Sequence, residues 1–93
     1  MAKPKRELPW VLPTPTPGVT LAIKCLAAGN ANEGQQRMAL KWIVEEVCGT
    51  YDQSFRPSGD RDTVFAEGRR FVGLQIVREI NLPATLLRSK ENA

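Results

Sequence analysis

The stretch Phe65-Ala-Glu-Gly-Arg-Arg-Phe-Val-Gly-Leu-Gln-Ile-Val-Arg-Glu-Ile80 constrains this chain more than any other. Its apolar residues recur with helical periodicity, yet two glycines and an arginine pair are set among them. At about 100° per residue with Phe65 at zero, Arg69 falls near 40°, flanked by Val72 and Ile76 on one side and Ile80 on the other. A cation in that position needs a partner, and Asp52 leads as its ion-pair acid, with Glu45 and Glu46 next. Arg70, near 140°, points elsewhere and is a candidate for contact with an external partner. Gly68 and Gly73 each cost about 1 kcal/mol relative to alanine inside a helix, so both are expected where another backbone or a large ring presses close.

The rest of the chain reads as all-α, a small three-helix domain with helices over about 19–28, 31–48 and 61–81. Five of the seven prolines fall within residues 1–17, which therefore read as an extended proline-rich arm. Trp10 sits in the arm's apolar cluster Leu8–Leu12, which must lie down on the protein's own helices or on a partner. The first helix ends at Gly29, suited to a left-handed cap. For the second helix, Asn30 with Glu33 offers a capping box, and Asn32 with Gln35 a competing register.

The second helix carries two apolar faces. Leu40, Ile43, Val44 and Val47 form the expected core stripe, while Met38 and Trp42 lie opposite and either receive the arm or the first helix, or form an interface. Residues 49–59 read as a folded loop held by the aromatic anchors Tyr51 and Phe55. Asp60 or Asp62 caps the third helix, Pro83 stops it, and Leu86 with Leu87 adds a final turn. Residues 18–87 then make a single helical domain, and 88–93 a flexible tail.

Ninety-three residues suit one domain with a modest core. The net charge of +3 invites a nucleic-acid reading, but residues 8–87 carry eight basic and eight acidic side chains, so the excess belongs to the ends and nucleic acid is an unlikely partner. Apolar runs fall short of the roughly 20 residues that cross a bilayer, and prolines interrupt any secretory signal, which together point to an intracellular protein. Cys25 and Cys48 read as buried thiols.

The chain has no histidine, the commonest general base and metal ligand, and no serine or cysteine in a nucleophile or redox motif. Gly68-Arg-Arg-Phe-Val-Gly73 lacks the strand and spacing of a phosphate-binding loop. Catalysis, metals and cofactors are therefore not expected, and the partner-binding candidates are Trp10, Met38, Trp42 and Arg70.

Three segments together, Gly29-Asn-Ala-Asn-Glu-Gly-Gln-Gln-Arg-Met-Ala-Leu-Lys-Trp-Ile43, Thr50-Tyr-Asp-Gln-Ser-Phe-Arg-Pro57 and Phe65-Ala-Glu-Gly-Arg-Arg-Phe-Val-Gly73, resemble a family of small proteins of tailed bacteriophages and their prophages. The resemblance covers roughly residues 8–80. Genes of that family often lie near portal and other virion genes, which implies a role in virion assembly or as a minor virion component; the arm with Trp10, the second face at Met38 and Trp42 and the lack of catalytic motifs make binding to a phage or host protein the expected means. It also implies a location in the virion or the host cytoplasm. It supplies no catalytic residues. A host-takeover inhibitor that binds one bacterial enzyme is the alternative, and homo-oligomers are compatible with either.

Overall fold

The computed structural model describes residues 14–85. Three α-helices run in order, α1 (Pro17–Ala28), α2 (Glu33–Trp42) and α3 (Asp60–Asn81), with a π-helical segment, Ile43–Val47, continuing α2. The all-α, three-helix expectation holds. Trp10 and the final turn at Leu86 and Leu87 lie outside the described residues.

α1 begins two residues before its expected start. Thr16 is extended and accepts the Val19 N–H on its hydroxyl at 3.3 Å, while Pro17 takes the first helical position, where its missing N–H costs nothing. At the far end Gly29 adopts φ 78°, the Gly29 N–H donates to Leu26 O at 3.1 Å and the Asn30 N–H donates to Cys25 O at 3.0 Å. That crossed pair is a Schellman closure. It also decides the next helix. With its N–H committed to Cys25, Asn30 cannot complete a capping box, so the box forms at Asn32, whose side chain accepts from Gln35 N at 2.8 Å while Gln35 Oε1 accepts from Asn32 N at 2.9 Å.

α2 and α1 pack together, and the one buried residue in each is an alanine, Ala22 and Ala39, both 0% exposed. With nothing beyond Cβ at these points, the two helices come close. The expected stripe of Leu40, Ile43, Val44 and Val47 is corrected in part. Val44 is buried and Ile43 and Val47 are half-buried, but Leu40 is exposed, because Ala39 rather than Leu40 faces the neighbouring helix.

Three β-branched residues, Ile43, Val44 and Val47, weaken α propensity where the helix widens to π. Cys48 N donates to Ile43 O at 2.9 Å, the five-residue spacing of a π turn. Gly49 then turns into the left-handed region at φ 59°, and Thr50 folds back so that its hydroxyl donates to Val44 O at 2.6 Å. α3 crosses the chain here, contacting the π segment and, among the described residues, neither α1 nor α2 in helix-to-helix packing.

Neither aspartate caps α3. Its N-cap is Gly59, at φ 147°, and Asp60 and Asp62 sit inside the first turn, where their charges favour the positive helix end. Thr63 N donates to Gly59 O at 3.2 Å as the first bond of the helix, and the Ser58 hydroxyl donates to Asp62, tying the loop to the first turn without capping a backbone N–H. The helix stops at Asn81, as expected from Pro83, with Leu82 extended at ψ 130°.

Candidate protein-interaction site

The centre of the molecule is the crossing of α3 over Cys48 and Thr50. A Cβ built on Gly73 would stand 1.7 Å from Thr50 Oγ1, 2.9 Å from Cys48 Cβ and 3.0 Å from Thr50 Cβ, so only glycine fits. A close approach does occur at Gly73, but the small side chains of Thr50 and Cys48 make it rather than the expected backbone or large ring. Gly68 is different and the close approach expected there is absent among the described residues, since a Cβ would have no atom outside the neighbouring helix backbone within 4 Å. Five residues separate the two glycines, about 140° of rotation, so they face different sides of α3.

Anchored by this crossing, the loop from Gly49 to Gly59 inverts the expected arrangement. Tyr51 and Phe55, anticipated as anchors, are 69% and 64% exposed, whereas Arg56, which the sequence pattern had not singled out, is 1% exposed. Its Nη1 donates to Gln53 O, to Ser54 O at 3.1 Å and to Phe55 O at 3.1 Å. Loop carbonyls have no ladder to satisfy them, and one guanidinium serves three where an aromatic ring serves none. Arg56 N donates to Thr63 Oγ1 at 2.9 Å and the Ser54 hydroxyl donates to Glu67, pinning the loop to the start of α3. No spacing rule announces such a residue; the only hint was a loop short of internal donors.

Tyr51, Asp52 and Phe55 line a broad groove of about 570 Å³ whose far wall is Arg70. Arg70 is half-buried and donates to Glu67 at 3.2 Å across one helical turn. Such a partly exposed pair contributes about 0–1 kcal/mol and leaves the guanidinium able to exchange Glu67 for another acceptor. Arg69, its neighbour, is also half-buried and lies near Cys48. Asp52 is half-buried and lines the groove with Arg70.

Met38 and Trp42 come together in a smaller groove of about 160 Å³ that Val19 of α1 helps to line. The first helix thus borders this pair, with Trp42 half-buried and Met38 still 45% exposed. Arg70 does not join that groove.

Both cysteines are free. Cys25 is half-buried and accepts from Gln35 Nε2 at 3.6 Å. Burial pushes the Cys48 thiol above its ordinary pKa, while the positive charge of Arg69 pulls the other way. Among the described residues no group of three His, Cys, Asp or Glu side chains could hold a metal ion, and no helix is long and apolar enough to cross a membrane. No family model, curated protein or solved structure matches this chain.

Proposed function

We propose that this chain is a non-enzymatic bacteriophage protein that works by binding another protein, in virion assembly or as a minor component of the particle, and that the loop carrying Tyr51 and Phe55 is its principal grip. The observation that carries the reading is the inversion of that loop: the arginine is inside and the aromatic rings are outside. Tyrosine, phenylalanine and arginine are enriched at protein interfaces, where a few such side chains supply most of the binding energy. A loop already tied by Arg56 loses little conformational entropy when it docks, so more of the contact energy becomes affinity. Arg70 beside the rings adds a charged acceptor-seeking group, and Met38 with Trp42 offers a subsidiary apolar surface. The phage setting rests on the resemblance of residues 8–80 to that family.

The test is affinity capture of the tagged chain from infected cells, followed by mass spectrometry, beside a Tyr51→Ala, Phe55→Ala double variant of unchanged circular dichroism. The expected result is recovery of a particle or assembly protein by the native chain and its loss from the variant. Equal recovery by both would remove the loop as the grip. Capture of one bacterial enzyme instead, with toxicity on expression, would make the chain a host-takeover inhibitor.

A further inference from the structure

The outward side of α3 carries Val64, Phe65, Phe71 and Val72, which are 70%, 48%, 60% and 52% exposed. They surround Gly68, one turn before it and one turn after it, and among the described residues no atom outside the neighbouring helix backbone stands within 4 Å of where its Cβ would be. Among the described residues nothing explains a glycine here, in the interior of a 22-residue helix where alanine is the better residue. A shallow notch walled by four apolar side chains is the shape that receives a knob from another helix.

The charges flanking the notch identify the occupant. Arg61 and Glu79 are 18 residues apart, five turns at about 3.6 residues per turn, and so lie on one line of the helix surface, at opposite ends of the apolar patch. Both are exposed and neither forms an ion pair among the described residues. Turning a second α3 end for end about residue 70 sets each Arg61 against the other copy's Glu79. The same operation places Val72 of each copy over Gly68 of the other. A surface that fits itself under a two-fold rotation, in shape and in charge together, is the mark of an isologous contact.

We infer that the chain forms an antiparallel homodimer through this face of α3, with Val72 seated in the notch at Gly68. This surface is separate from the loop proposed to hold the partner, so the dimer displays two loops. The four side chains leave on the order of 400 Å² of apolar surface per copy, about 800 Å² for the pair, at the weak end of specific interfaces. Association is accordingly concentration-dependent.

Sedimentation equilibrium of the full chain from low micromolar to millimolar concentration tests the proposal. The native chain is expected to pass from monomer to dimer, and Gly68→Leu, which fills the notch, to weaken association at least tenfold while keeping its helical circular dichroism. Arg61→Glu and Glu79→Arg are each expected to weaken it several-fold, and the double reversal to restore it, an outcome only the antiparallel pairing produces. A native chain that is monomeric throughout overturns the inference, as does a Gly68→Leu dimer of native affinity. Loss of the dimer on deleting residues 1–13 alone also overturns it, because the contact between copies would then run through the arm.

Discussion

Placing alanine at each of the two glycines of α3 separates two roles that look alike in the sequence. At Gly73 the new methyl collides with Thr50 Oγ1 at 1.7 Å and crowds two β-carbons at 2.9 and 3.0 Å. Thr50 must turn away, which breaks its 2.6 Å bond to Val44 O; that carbonyl keeps the Thr50 N–H at 3.3 Å, but the buried hydroxyl loses its acceptor. Overpacking costs about 1–3 kcal/mol and the buried hydroxyl left without its acceptor about 1–3, against about 1 kcal/mol regained from helix propensity, so Gly73→Ala should destabilise by about 3 kcal/mol. At Gly68 nothing is met, and Gly68→Ala should stabilise by about 1 kcal/mol. For a domain of this size these are falls of about 12–24 °C and rises of about 4–8 °C in Tm. Urea unfolding followed by circular dichroism, at dilute concentrations where the monomer prevails, measures both. Thr50→Ala provides the internal control. It removes the colliding oxygen, so the two substitutions combined should cost at least about 1 kcal/mol less than their sum. Two alanine variants shifting stability in the same direction, or strict additivity with Thr50→Ala, would refute the close crossing.

Other expectations follow from the caps, the loop and the thiols. Asn32→Ala should cost about 1 kcal/mol in urea unfolding, and Asn30→Ala markedly less, because only Asn32 bonds through its side chain at the α2 start. Arg56→Met should cost about 2 kcal/mol or more and expose residues 49–59 to limited proteolysis, as three carbonyls lose their shared donor. An unaltered digestion pattern would count against the tie. Cys25 should react with a thiol reagent well before Cys48, by peptide mapping of the labelled native chain. Because the Cys48 thiol is raised when folded, the stability it protects is complete below the ordinary value of 9.0 and is lost as pH climbs through the folded value. Stability measured above pH 9.0 should therefore fall less steeply in Cys48→Ala than in the native chain.

Periodicity made the three helices legible, and Gly29 and Pro83 marked two of the stops. What misled was local chemistry with two valid answers. Asn30 and Asn32 are equivalent as caps until the Schellman bond of α1 takes the Asn30 N–H, a fact about three-dimensional closure. Leu40 outranks Ala39 in hydrophobicity, but a close helix pair selects the smaller side chain. In the loop, hydrophobicity points the aromatic residues inward, whereas unsatisfied carbonyls draw in Arg56 instead. Gly68 and Gly73 present the same propensity cost, and only the chain that crosses at Thr50 tells them apart. Of the interaction candidates, Met38 and Trp42 share a groove and Arg70 lines another, but the rings that give the second groove its character read in the sequence as loop anchors.

The π segment at Ile43–Val47 adds one residue to a turn, and that single residue acts as a gear tooth between the α1–α2 pair and α3. Remove it and the helix closes to ordinary pitch, but everything after it rotates by about 100°. Thr50 would then leave Gly73, and the loop with Tyr51 and Phe55 would be carried round to a different side. A substitution within 43–47 should therefore be absorbed far more readily than a one-residue deletion, and the length of this segment, more than its composition, sets the direction in which the molecule presents its loop.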